Sequence, residues 1–215
     1  MSFFDYLQAN WPRLVDLTLQ HAVLVLISVA IATVVGVLAA VVTYRTDIPS
    51  KVLLGVTGVF LTIPSFALFG LLIAPLGLGY PPAVVALVMY GLLPIVRNTI
   101  TGLREVNASI TEAALGIGMG RWRRLLRVEL PLAWPVILTG IRVATLINVG
   151  IAAIAAYVGG PGLGAQIFAG LDRIGFPVAV NLALSGTLGI ILIALVLDGV
   201  FLVLGKLTTP RGIRG

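Results

Sequence analysis

The sequence predicts an all-α integral membrane protein with about five transmembrane helices. Three observations carry that reading. Of the 215 residues, 59% are hydrophobic and only 10% charged, where a soluble domain carries about 25% charged residues. The uncharged runs are long enough to cross a bilayer core, which takes about 20 helical residues. None of them shows the short alternating segments of a β-barrel, and a helix satisfies every backbone group internally, as lipid demands.

The elements follow in order along one domain, residues 1–215, with a core at about 20–206. Met1 to Gln20 contains Asp5, Arg13 and Asp16 and lacks the basic-then-apolar order of a cleavable signal. Within it, Phe3 to Leu14 is expected to form an interfacial helix, with Phe3, Phe4, Tyr6 and Trp11 as an aromatic belt. Span one is Leu17 to Tyr44. Val52 to Val96 is too long for one crossing and is broken at Pro75 to Pro82, where proline and glycine punctuate the chain. Span two therefore runs over about Val52 to Ala74, with a kink expected at Pro64, and span three over about Ala83 to Thr101. Span four covers about Pro131 to Tyr157 and span five about Pro177 to Leu207.

Five spans put most basic residues on one side. Arg45 and Lys51 follow span one; Arg97, Arg104, Arg121, Arg123, Arg124 and Arg127 lie at or between spans three and four; Lys206, Arg211 and Arg214 end the chain. The opposite side holds Arg13 and Arg173. The positive-inside bias then predicts an external N-terminus and a cytoplasmic C-terminus. The net charge of +6 is accounted for by those loops and does not call for nucleic acid. With no cysteine, disulfides and thiolate metal sites are excluded. His21 alone gives no metal site and is expected at the outer interface. No nucleophile–base arrangement falls on one side of the membrane, so no catalytic residue is assigned.

The longest inner connection, about residues 102–130, contains Glu112-Ala-Ala-Leu-Gly-Ile-Gly-Met-Gly-Arg-Trp-Arg-Arg-Leu-Leu-Arg-Val-Glu-Leu-Pro131. Ser109 to Glu112 has the spacing of a capping box, so a helix is expected from about Ile110. Glycines at 116, 118 and 120 then permit a sharp turn. A second helix is expected, with Trp122, Leu125, Leu126 and Glu129 on one face and Arg121, Arg124 and Arg127 on the others. Pro131 ends that helix or opens the next.

This cassette resembles the loop of inner-membrane permeases of binding-protein-dependent ABC importers: Glu-Ala-Ala, three residues, Gly, nine residues, Ile-x-Leu-Pro. Here Glu112, Ala113, Ala114, Gly118, Leu130 and Pro131 match at that spacing, and Val128 replaces the isoleucine. The resemblance implies a coupling helix that docks into a cleft of an ATPase subunit. Leu61-Thr-Ile-Pro-Ser-Phe-Ala-Leu68, Tyr90 to Asn98, and Gly140 to Thr145 with Tyr157 to Gly164 are similar to the osmoprotectant branch, permeases for glycine betaine, carnitine, choline and proline. Pro161 departs from that branch's usual pattern. The resemblance further implies a five-helix core like that of methionine and maltose permeases. ATP and Mg would bind a partner ATPase dimer rather than this chain. A second permease chain, identical or related, and an extracytoplasmic binding protein would complete a bacterial or archaeal plasma-membrane importer.

Several single residues stand out. Arg142 and Asp198 are charges within spans at similar depth, about 16 and 12 Å from the inner ends; either they pair or each reaches water separately by snorkelling. Pro64 and Ser65 are candidates for the translocation path, or mark only a local helix correction; Tyr90, Asn148 and Asn181 are candidates for the path, or for ordinary interhelical hydrogen bonding. Gly159, Gly160, Gly162 and Gly164 make an outer loop, and the resemblance suggests an outer gate followed by a short helix at about Ala165 to Ala169. The competing readings are a permease for methionine, a sulfonate or another amino acid, a stand-alone secondary carrier, and an intramembrane enzyme. A carrier would need its own ion-coupling groups or inverted repeats, and an enzyme convergent catalytic groups; the sequence displays neither.

Overall fold

The structure is a computed structural model and describes residues 2–208. Arg211 and Arg214, counted on the inner side above, lie outside the described residues. The chain begins with a helix of 41 residues, α1 (Phe3–Thr43), about 61 Å long at 1.5 Å per residue. Ser2 and Asp5 start it with a reciprocal capping box, Ser2 N donating to Asp5 Oδ2 (3.0 Å) and Asp5 N to Ser2 Oγ (3.2 Å). The separate interfacial helix expected over Phe3 to Leu14 is thus corrected: it is the first part of α1. Once capped, the helix meets no break before Thr43, and a bend would strand backbone groups that continuation satisfies. Tyr6 and Leu14 are buried.

Span two is split. Helices α2 (Asp47–Thr62) and α3 (Ser65–Leu76) meet at 99° across Ile63 and Pro64. Proline removes one amide donor and restricts the residue before it to extended backbone; Ile63 has φ −67° and ψ 127°. The kink expected at Pro64 is a full break. α4 (Tyr80–Arg104) supplies span three. The inner cassette holds α5 (Ala108–Gly116) and α6 (Arg121–Arg124). A π-turn, Leu125–Glu129, joins α6 to α7 (Leu130–Ala152), which tightens into a 3₁₀ turn, Ala153–Val158. Pro131 lies in the first turn of α7 and so opens that helix, the second of the two expected alternatives. Its missing donor and its ring are accommodated by the wider π-turn, in which Leu130 N bonds Leu125 O. After α8 (Gly164–Leu171), α9 (Val178–Thr208) gives the last span.

The core lies where α1, α4 and α7 pack, through Leu24, Val25, Ala32, Leu87, Ile95, Ile137 and Ala144. Alanines such as Ala32 and Ala144 let the backbones approach closely between the larger aliphatic side chains. α9 lies at the periphery, with only 6% of its most apolar stretch buried. Among the described residues, four helices are long and apolar enough to cross a membrane, and the bent α2–α3 pair makes a fifth crossing if counted as one span.

Candidate coupling site

α5 begins two residues earlier than expected, at Ala108. Asn107, not Ser109, is its cap, with Asn107 Oδ1 accepting from Ser109 N (2.9 Å) and Ser109 Oγ (2.8 Å). The asparagine oxygen reaches the second amide of the helix from outside it, so the apparent capping box at Ser109 and Glu112 is ordinary helix. At the other end Met119 N bonds Ala114 O (3.0 Å) and Gly118 N bonds Leu115 O (2.9 Å). Those two bonds form a Schellman motif, which needs a left-handed residue between them. Gly118 supplies it, with φ +78°. Glu112 and Ala113 are exposed, Ala114 is buried, Leu130 is half-buried and Pro131 is exposed. Ile110, Leu115, Ile117, Trp122 and Leu126 are large apolar side chains left exposed around the bend. An exposed apolar cluster of this kind marks a surface that meets a partner or lipid.

The face predicted for the second helix is corrected. Leu125 and Glu129 are buried, but Trp122 and Leu126 are 67% and 62% exposed. The π-turn inserts an extra residue, so the 3.6-residue spacing no longer aligns those four side chains. Arg124 also turns inward. Its Nε donates to Glu129 Oε1 (2.7 Å), and Arg45 Nη2 donates to the same oxygen (2.8 Å). Tyr44 OH donates to Glu129 Oε2, and Arg45 Nε donates to the Tyr44 hydroxyl. Arg104 completes the inner end of the bundle: its Nε donates to Tyr44 O (2.7 Å), and its Nη2 to Ser50 Oγ (2.9 Å) and Asp47 Oδ1 (3.2 Å). The root of the cassette is thereby tied to the end of α1, and α1 to α2 and α4. Sequence reasoning missed Tyr44, Arg45, Arg104, Arg124 and Glu129 as a unit. The only local signal was a glutamate beside three arginines.

The intramembrane residues fall into place separately. Arg142 Nε and Nη2 donate to the two oxygens of Asp198 (2.6 and 2.8 Å), a two-pronged pair joining α7 to α9. Pro64 caps α3 at the break, with Ser65 half-buried beside it. Tyr90 is buried, and its hydroxyl donates to Ile63 O (2.7 Å), the carbonyl the break exposes. Asn148 is fully buried and donates to Leu87 O (3.0 Å). His21 is also fully buried rather than interfacial, with Nε2 3.0 Å from Val149 O. Tyr6 OH donates to Gln166 Oε1 (3.1 Å), joining the start of α1 to α8. In the loop before α8, Gly159 and Gly162 have positive φ. A Cβ at Gly164 would sit 1.9 Å from Ala153 O, so α8 begins in direct contact with the 3₁₀ turn. Gly160 donates to Ala155 O (2.8 Å). Among the described residues, no cluster of metal-ligating side chains occurs.

Residues 32–209 match the family of binding-protein-dependent transport system inner membrane components. The chain belongs to that family. The permease is 42% identical to the osmoprotectant import permease protein OsmW of Salmonella typhimurium, over 100% of both chains. It is 36% identical to the glycine betaine/carnitine/choline transport system permease protein OpuCB of Bacillus subtilis, over 98% of this chain and 95% of that protein. Its fold is that of the MetNI methionine ABC transporter in an inward-facing conformation. The TM-score is 0.79 at 20% identity, over 98% of this chain and 100% of the other. The permease is thus a multi-pass plasma-membrane component of an ABC importer, working with an ATPase and a substrate-binding protein.

Proposed function

We propose that this permease carries compatible solutes of the glycine betaine, carnitine, choline and proline class into the cell. The observation that carries this reading is end-to-end similarity to permeases named for osmoprotectants, at 42% and 36% identity. Residues 1–215 form one domain, with the N-terminus outside and the C-terminus in the cytoplasm, as the inner arginines favour. Two permease chains, identical or related, sit on an ATPase dimer, and ATP and Mg bind that partner.

The cassette is the coupling element. Glu112 and Ala113 face the ATPase with the exposed apolar cluster around them, and Gly118 fixes the exit of α5. Ala114, Leu130 and Pro131 set the cassette against the bundle. Solute passes beside the break at Pro64 and Ser65, and Tyr90 braces that break from within. Asn148 holds α7 to α4 behind it. Gly159, Gly160, Gly162 and Gly164 shape the outer gate ahead of α8. Arg142 and Asp198 fix α7 against α9.

Reconstituting the permease with its ATPase and binding protein in liposomes tests this. Uptake of labelled glycine betaine should require ATP and binding protein and should be competed by carnitine or choline. Uptake that proceeds without ATP, or transport of a different solute class only, would overturn it.

A further inference from the structure

Three aromatic rings converge beside the helix break although they come from separate elements. Phe66 is in the first turn of α3, Tyr157 in the 3₁₀ turn and Phe168 on α8. The ring centroids are 5.2 Å apart for Phe66 and Tyr157, 6.2 Å for Phe66 and Phe168, and 6.3 Å for Tyr157 and Phe168. Tyr157 and Phe168 are tilted 38° to each other, and Phe66 stands at 72° and 75° to them. The three make a corner: two rings share a rough orientation and the third is nearly upright. Phe66 and Tyr157 are 49% and 59% exposed.

We propose that Phe66, Tyr157 and Phe168 form a transient subsite on the permease for the quaternary ammonium group of the solute. The inference rests on the proposed substrate class. A quaternary ammonium has no N–H, so hydroxyl and amide groups cannot accept a hydrogen bond from its nitrogen. What attracts it is negative charge or an aromatic face. Residues 65–76, 153–158 and 164–171, which carry the rings, contain no Asp or Glu. The aromatic faces are the cation-attracting side chains of these elements. The centroid triangle is small enough for one cation to serve all three rings. A cation about 4 Å above its centre lies about 5 Å from each centroid, inside the roughly 6 Å reach of cation–π attraction. Such attraction is weak for each ring, which suits a station that a solute must leave again. The site adjoins Ser65 and the break at Pro64, and its Tyr157 edge leads directly into the glycine loop. It therefore lies between the two segments assigned to the path and the outer gate.

The test uses the whole importer in liposomes, with saturating loaded binding protein so that capture is not limiting. Phe66→Leu, Tyr157→Leu and Phe168→Leu should each lower maximal uptake of glycine betaine and choline about threefold to thirtyfold. Tyr157→Phe should keep uptake within about twofold. ATP hydrolysis stimulated by the binding protein should persist in each variant, showing an assembled complex. Should a leucine variant not assemble, fluorinated phenylalanines at positions 66 and 168 keep the shape and weaken the ring face; uptake should fall with each added fluorine. Unchanged uptake in the leucine and fluorinated variants, by an importer that does carry these solutes, overturns the subsite and leaves the proposed function standing. Equal loss in Tyr157→Phe and Tyr157→Leu also overturns it. Absence of quaternary ammonium uptake in the unaltered importer, with uptake of another solute, overturns both.

Discussion

Replacing Glu129 by alanine tests the buried cluster most directly. The Glu129 side chain is 4% exposed and the Arg124 side chain 10%, so removal of the carboxylate leaves a guanidinium with little access to water. Breaking a buried pair in this way costs about 3–5 kcal/mol. Arg45, 30% exposed, can turn outward and adds little. Tyr44 loses its acceptor, and a buried unmet donor costs about 1–3 kcal/mol, partly recovered if water enters the vacated space. A total near 4 kcal/mol is expected, which lowers the melting temperature by about 8–16 °C for a domain of this size. Glu129→Gln keeps shape and one acceptor, and so should lose about half as much. Arg124→Met combined with Glu129→Leu removes both ends of the pair and should melt well above Glu129→Ala alone, because no charge is stranded. Thermal unfolding of the purified importer in mild detergent, followed by tryptophan fluorescence, reads all of these. Equal and additive losses for the Arg124 and Glu129 variants would show that the two do not act as a pair. A shift below about 2 °C in Glu129→Ala would show that the cluster does not hold the cassette root.

Gly118→Ala places a Cβ at φ +78°, a left-handed conformation costing about 1–2 kcal/mol for other L-residues. ATP-coupled uptake should fall while membrane abundance stays normal, and Glu112→Ala should do the same; uptake assays beside immunoblots of membranes check both. Neutralising either Arg142 or Asp198 should lower importer assembly, and the charge exchange Arg142→Asp with Asp198→Arg should restore part of it, measured by co-purification of the ATPase. Tyr90→Phe strips the Ile63 carbonyl of its 2.7 Å donor and should cost about 1–2 kcal/mol, read as a lowered melting temperature.

The spans were legible because lipid imposes a simple demand: long uncharged runs whose backbone is satisfied within the segment. The cassette was legible for a different reason. Its residues are close in sequence, and Gly118 sits where a Schellman turn requires it. Arg142 and Asp198, 56 residues apart, could be matched because charges within spans are rare and these two lie at similar depth, but the distant contacts at the cassette root were not legible. Tyr44 and Glu129 are 85 residues apart, and nothing local distinguishes an arginine that anchors at the membrane surface from one that pairs inside. Arg121 stays exposed while Arg124 is buried, although both satisfy the same charge bias. Helical spacing failed at Trp122 and Leu126 because the π-turn changed the period. It could not foresee the break at Pro64 either, where proline sets a boundary but tertiary partners decide the angle. The ring cluster was hidden likewise, since Phe66, Tyr157 and Phe168 share no segment.

The bonds at the two ends of α1 have a mechanical consequence. Tyr6 holds its N-terminal end to α8, and Tyr44 with Arg45 holds its C-terminal end to the root of the cassette. Between them lies one unbroken helix, roughly 57 Å from Tyr6 to Tyr44. A displacement of the cassette root is therefore passed to α1, whose one internal proline, Pro12, lies near its N-terminal end. The α2–α3 pair differs: its 99° break is held by one hydroxyl on one carbonyl and by packing. Motion imposed on the bundle is most easily taken up there, at the few residues able to absorb a dihedral change. Stiff α1 and jointed α2–α3 are packed against the same α4. α1 thus serves as a strut along the bundle, and the α2–α3 break is the joint beside it.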